Sequence, residues 1–257
     1  MHDLKQFNDY IKKLPEHLPN GMSAISLIMK MIMGLFTNRF LFVKGFKDNH
    51  ISIGTTKGRS RIVVRMDRKS KGNYIIIDDG FNGNLNLTIR GNNSFFYIGK
   101  NAVIKKSKLS IVRSASVLAI GEHVGIRAGA NIKSYGTTVL GDDAMLSANV
   151  LIQEYDGHPI FDVEHNELNH KVNGVFIGKH TWLCRDVKII KSVKTGTGSI
   201  IGAFSTLTKN VPADSIAVGV PAKVIREGGV YWSRNYTKKE LSKARSFFQT
   251  EHQSEID

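Results

Sequence analysis

Residues 177–207 read IGKHTWLCRDVKIIKSVKTGTGSIIGAFSTL, and one residue type recurs through them at every sixth position. Ile177, Leu183, Ile189, Thr195, Ile201 and Leu207 hold the register, with Thr195 the only non-aliphatic member. Glycine follows three of them, at Gly178, Gly196 and Gly202. A period of six is neither the 3.6 of a helix nor the two of a strand. It predicts a parallel β-helix, in which three six-residue faces close one triangular coil of about 18 residues and each coil rests on its neighbours. The aliphatic residue points inward and stacks on its counterpart one coil along, and the glycine after it eases the corner.

Upstream the pattern continues in three shorter runs separated by slips: Ile98-Gly99 and Ile104; Ile120-Gly121, Ile126 and Ile132; Leu140-Gly141, Leu146 and Ile152. An insertion from about Gln153 to Phe176 interrupts it, and beyond Leu207 it ends in the segment Val211 to Pro221. A β-sandwich is the competing architecture, but its strands recur at about 8 to 12 residues. Residues 51–97 hold short β-type runs at irregular spacing, such as Ile62-Val63-Val64 and Tyr74-Ile75-Ile76-Ile77. Leu4, Phe7, Ile11 and Leu14, then Ile25 to Leu35, have helical spacing. Leu241, Ala244 and Phe248 give one face of a short terminal helix whose basic residues lie mostly on the solvated side. The expected organisation is therefore all-β: an N-terminal helical cap over 1–48, a β-helix over 49–226 with a loop at 153–176, and a C-terminal helical tail over 227–257.

Composition narrows the partners. The 257 residues carry 36 Lys and Arg against 22 Asp and Glu, a net charge of +14 that suits anionic ligands such as a nucleotide-like cofactor or an acidic polymer. No nucleic-acid recognition motif accompanies that charge, so nucleic acid is not an expected partner. The single cysteine, Cys184, leaves no intrachain disulfide and no multi-cysteine zinc site. The N-terminus lacks the pattern of a signal peptide, and Met22 to Phe36, interrupted by Lys30, is shorter than the roughly 20 apolar residues of a membrane span. A cytoplasmic protein is expected, with peripheral contact at the inner face of the membrane as a lesser alternative.

The insertion concentrates polar chemistry. It contains Asp156, His158, Asp162, Glu164, His165, Glu167 and His170, so three of the nine histidines fall in one loop. Long loops projecting from a regular scaffold are usually functional. The spacing of these groups matches no zinc pattern, and no metal is expected. Gly196-Thr197-Gly198 belongs to the six-residue period and is not a dinucleotide loop. Cys184 reads as a small packed side chain.

A series of motifs carries a family resemblance over about residues 98–226. It runs from Asp156-Gly157-His158-Pro159-Ile160 through Ile177-Gly178-Lys179-His180-Thr181-Trp182 and Ile201-Gly202-Ala203-Phe204-Ser205. It continues with Thr208-Lys209-Asn210-Val211-Pro212 and closes with Gly219-Val220-Pro221-Ala222-Lys223-Val224-Ile225-Arg226. The chain resembles the hexapeptide-repeat, left-handed β-helix acetyltransferases, and among them the O-acetyltransferases of galactosides, maltose, capsule and O-antigen. The resemblance implies left-handed winding, a homotrimer and acetyl-CoA as co-substrate. It implies His158 as general base and Trp182 beside the pantetheine arm or acceptor. Ala203 would keep the coil surface low, and Thr208, Lys209, Lys223 and Arg226 would meet the adenine and phosphate end.

Histidine suits the base role because a sugar hydroxyl needs proton removal near neutral pH beside a good acyl donor. Several positions depart from the family pattern. Arg185, near the cofactor, replaces a small polar residue, and Phe204 replaces a small one. Asn173-Gly174-Val175-Phe176 stands where a proline often leads back into the repeat. The asparagine that orients sugar in galactoside enzymes has no clear counterpart, Asn131 and Asn149 being only nearby. The sequence thus points to O-acetylation of a sugar or acidic polysaccharide, with N-acetylation of an amino sugar and a non-catalytic β-helix scaffold as the alternatives.

Overall fold

A strand of two residues, such as Trp182–Leu183, cannot persist alone, yet much of this protein is built from such strands. Each is held because its backbone groups pair in parallel with the coil before and the coil after. The computed structural model describes residues 40–45, 47–155, 157–158, 160–164, 166–167, 174–190 and 192–253, with 166–167 and 248–253 by backbone alone. The two N-terminal helices expected from the sequence fall outside these residues.

The molecule is a parallel β-solenoid with three faces. The first is a seven-stranded sheet of β2 (His50–Ile53), β4 (Tyr74–Ile77), β6 (Phe95–Ile98), β8 (Val117–Ile120), β11 (Thr137–Leu140), β16 (Val175–Ile177) and β19 (Lys194–Thr195). The second stacks β9 (Gly125–Ile126), β12 (Met145–Leu146), β17 (Trp182–Leu183), β20 (Ile200–Ile201) and β22 (Ile216–Gly219), closed by β23 (Ala222–Arg226). The third stacks β1 (Phe40–Lys44), β3 (Thr56–Met66), β5 (Phe81–Ile89), β7 (Val103–Ile111), β10 (Asn131–Ser134), β13 (Leu151–Gln153), β18 (Lys188–Ile189) and β21 (Thr206–Leu207). A small antiparallel pair, β14 (Phe161–Asp162) and β15 (Asn166–Glu167), lies in the insertion.

The six-residue period is this geometry seen in one dimension. Ile120, Leu140, Ile177 and Thr195 are register partners on the first face. Ile126, Leu146, Leu183 and Ile201 are partners on the second, and Ile132, Ile152, Ile189 and Leu207 on the third. All twelve are buried, and the eleven aliphatic ones belong to one continuous core.

Stacking starts well before Ile98, where the sequence period sets in. β1 pairs in parallel with β3 from Phe40, and Ile53, Ile77 and Ile98 already share one column. The spacing there is 24 and 21 residues per coil, against 18 between Ile177 and Thr195, so the columns persist while the count of six is lost. β3, β5 and β7 bend across a corner instead of breaking at it, with register shifts between Lys57 and Arg61 and between Gly83 and Leu85.

The corner glycines act differently from the sequence expectation. A Cβ on Gly141 would stand 2.7 Å from the Lys179 nitrogen, and one on Gly178 would stand 2.5 Å from the Gly196 carbonyl carbon. Close approach of the next coil requires glycine there. The left-handed backbone falls two residues later, at Asp143 (φ 58°) and His180 (φ 49°).

After β22 the chain reverses into β23, the antiparallel partner of the second face. It then runs back along the prism to the terminal helix α1 (Lys238–Gln253). Its packed face agrees with the expected one at Ala244, which is fully buried, and differs at Leu241, which is 38% exposed, while Phe247 packs inward. Lys243 also points toward the solenoid.

Candidate active site

Side chains on the outer side of the second face form a column of Gly125, Met145, Trp182, Ile200 and Ile216. Beside Met145 and Trp182, where this face turns toward the third, a cavity of about 720 Å³ opens across successive coils. Its lining includes Trp182, Arg185 and Ala203, so three of the sequence-predicted residues meet in one place. Ala128, Ala148, Arg185 and Ala203 occupy equivalent corner positions, so three alanines keep that wall low on either side of the Arg185 side chain, and Lys105 and Arg127 bring two further cations to it. The Trp182 indole N–H donates to Ser147 Oγ at 3.0 Å, which fixes the ring over the preceding coil. Cys184 also lines the cavity; burial pushes its thiol up to about 11, so it remains a protonated, packed side chain at neutral pH.

The insertion leaves the third face after β13 and is pinned at its root. Glu154 is buried and accepts hydrogen bonds from the Tyr135 and Gly136 amides and from Thr138 Oγ at 2.6 Å. Thr138 is the polar member of an inward column between Leu118 and Val175, so the carboxylate satisfies a hydroxyl inside the core. Burial raises the Glu154 carboxyl above its ordinary range, partly offset by the Thr138, Gly136 and Tyr135 hydrogen bonds. The next residue, Tyr155, packs at 5.4 Å from the Tyr135 ring, with the Arg113 guanidinium 4.2 Å over its face. His158 follows, with an exposed ring.

The other predicted residues lie away from the cavity lining. Thr208 and Lys209 follow β21, and Lys223 and Arg226 are exposed on β23. No group of three or more metal-ligating side chains occurs among the described residues.

The sequence reading missed a buried carboxylate beside this face. Asp143 Oδ2 lies 2.6 Å from His180 Nδ1, and Asp143 Oδ1 accepts from Lys243 Nζ at 2.7 Å and from Arg234 Nη2 at 3.3 Å. His180 Nε2 lies 2.8 Å from the Trp232 carbonyl oxygen. The His180 ring is stacked between Trp232 and Phe247, with centroids 4.2 and 4.6 Å away. Burial pushes the Asp143 carboxyl up, but hydrogen bonds from His180 and Lys243 and the charges of Arg234 and Lys243 outweigh it and hold the group at about 2. The only sequence signal was the basic tail itself, whose cations were assigned to solvent.

No protein-family model matches the chain. Polysialic acid O-acetyltransferase of Escherichia coli O1:K1 / APEC is 34% identical over 138 residues, which are 53% of this chain and 44% of that protein. The match thus spans less than half the length of that curated relative. The crystal structure of the polySia-specific acetyltransferase NeuO superposes with a TM-score of 0.70 at 30% identity, over 82% of this chain and 87% of that one. The polysialic acid O-acetyltransferase OatWY shares the fold, with a TM-score of 0.64 at 23% identity over 80% of this chain and 99% of that one. Stacked coils with a six-residue period, together with 30% identity across most of the NeuO chain, show that this chain belongs to the hexapeptide-repeat acetyltransferases.

Proposed function

We propose that the chain is an acetyl-CoA-dependent O-acetyltransferase acting on a sugar hydroxyl of an acidic polysaccharide, of the capsule or O-antigen kind. The observation that carries this reading is the convergence of Trp182, Arg185 and Ala203 on one cavity at the edge of the second face. A long, narrow thiol cofactor fits such a site: the alanine wall admits a slender arm, the indole offers it a flat apolar surface, and three cations suit its charge. Bound there, the cofactor supplies an activated acetyl carbon.

The protein's own groups account for the remainder. His158, exposed on the insertion, takes the proton from the acceptor hydroxyl, a contribution of about 10² to 10⁴ in rate. Trp182 and Ala203 orient the acyl donor, with Arg185 close by. Thr208, Lys209, Lys223 and Arg226 hold the nucleotide end, their cations meeting phosphate oxygens. Three copies winding left-handed pack side by side, so that His158 of one faces Trp182 of the next. The protein works in the cytoplasm. Among the described residues no helix is long and apolar enough to cross a membrane.

Charge supports an acidic acceptor. The third-face strands, β1, β3, β5, β7, β10, β13, β18 and β21, contain no Asp or Glu. Lys44, Arg61, Arg65, Lys108, Lys133 and Lys188 stand on them. Two of the compared proteins, each 30% identical or more, are named for polysialic acid, itself an acidic polymer.

The test is thiol release and mass change when the protein meets acetyl-CoA and a panel of acidic and neutral glycans. An alkali-labile acetyl on an acidic glycan is expected; an alkali-stable amide would point to amino-sugar N-acetylation instead. His158→Ala should lower turnover at least about 10²-fold with CoA affinity within about twofold. Retained turnover removes His158 from the base role, and no thiol release with any glycan refutes the reading.

A further inference from the structure

We propose that the segment after the repeats, residues 227–247, is a strap that sets the shape of the cofactor cavity, with Trp232 as the positioning residue for Trp182. The inference rests on the cofactor reading of that cavity and extends it to residues that do not line it.

The geometry runs in one direction, from strap to cavity wall. Met145 and Trp182 are register neighbours on the second face, and both line the cavity. The strap touches each of them from the opposite edge. The Trp232 ring lies 5.6 Å from the Trp182 ring, tilted by 40°. Arg234 Nη1 points at Met145 Sδ from 3.1 Å, across the room that Gly125 leaves one coil earlier, where a Cβ would stand 3.1 Å from the same guanidinium nitrogen. Trp182 is thus held between Ser147, to which its N–H donates, and Trp232.

Trp232 is itself fixed. It is 7% exposed, its indole N–H donates to the His180 carbonyl, and its ring is stacked on the His180 ring at 6°. The strap is in turn anchored at Asp143, where Arg234 from the arm and Lys243 from α1 meet one buried carboxylate. A tail packed only for stability would need none of these contacts with the two cavity residues. An aromatic pair of this kind is enough to bias a ring between orientations.

Trp182 and Trp232 are the only two tryptophans in the chain, which makes the contact visible without ligand. In Trp232→Phe the sole indole is Trp182. Its emission and near-ultraviolet dichroism are the reference for a packed Trp182, and CoA affinity should stay within about twofold of the wild type. In Trp232→Ala the Trp182 emission should shift toward that of a solvated indole, and CoA affinity by calorimetry should fall about tenfold, the upper value of such a pair. KM for acetyl-CoA should rise with it while kcat changes less. Lys243→Met, on a half-exposed side chain, should give the same changes in smaller measure without unfolding, so the proposal stays testable if Trp232→Ala folds poorly. Trp182 emission in folded Trp232→Ala equal to that of Trp232→Phe with unchanged CoA affinity, or unchanged CoA affinity in Lys243→Met, overturns the strap proposal alone. A wild type that binds no CoA overturns the cofactor reading and this extension together.

Discussion

Asp143 draws its partners from three distant parts of the chain: His180 is 37 residues away, Arg234 is 91 and Lys243 is 100. Its carboxyl titrates lower in the folded protein than at its ordinary 3.8, at about 2. A depressed folded value contributes stability that is full above the unfolded pKa and lost as pH falls through the folded one. The expected contribution is about 2 kcal/mol above pH 4, fading toward pH 2. Urea unfolding of the wild type and of Asp143→Asn across that range measures it; the gap between the two proteins should narrow on acidification, and a constant gap would contradict the assignment. Trp182, which lines the cavity, could be singled out from sequence because it sits in a short local motif. Asp143 could not, because its role arises only when the tail folds back, and nothing local in Gly141-Asp142-Asp143-Ala144 separates its second aspartate from an ordinary corner residue.

The insertion shows what an element needs in order to leave a regular stack. Glu154 replaces the backbone partners that the interrupted coil no longer offers to Tyr135 and Gly136. Glu154→Ala would leave two amides and the Thr138 hydroxyl without a partner inside the core, a loss of about 3 kcal/mol measurable by denaturant unfolding. Glu154→Gln keeps an acceptor and should restore most of it. Because burial raises this carboxyl, its contribution is complete below the ordinary carboxylate pKa and declines as pH rises through the raised folded value. The glutamine variant should lack that decline, and an identical pH profile in both would remove Glu154 from this role. At this scale the sequence specified the existence of α1 but only part of its packed face. The Leu241–Ala244–Phe248 stripe suggested an apolar contact, whereas the solenoid offers an ionic anchor at Asp143 and a flat ring at His180, which select Lys243 and Phe247.

For the molecule as a whole, the repeat made the architecture legible from Ile98 onward, because each run keeps the count of six between slips, and the 18-residue coils after Ile177 keep it without a break. In the coils before Ile98 the strands cross one corner without a turn, so their columns emerge only once strands are paired in space. Those coils carry Lys44, Arg61 and Arg65, half of the cations named on the acid-free face. If that face guides an acidic polymer, raising NaCl from about 50 to 300 mM should increase KM for an acidic glycan about tenfold, leaving a short neutral acceptor within about twofold, since screening acts on charge alone. Equal salt sensitivity for both acceptors would mean that the face takes no part.

The last reversal of the chain has a consequence for solubility. A stack of parallel strands ends in an open rung that could accept the first rung of another molecule and grow into a filament. Here β23 runs antiparallel to β22 and carries Lys223 and Arg226 outward. A newcomer would have to pair against the grain, past two like charges, and the spiral is thereby kept from propagating beyond its own length.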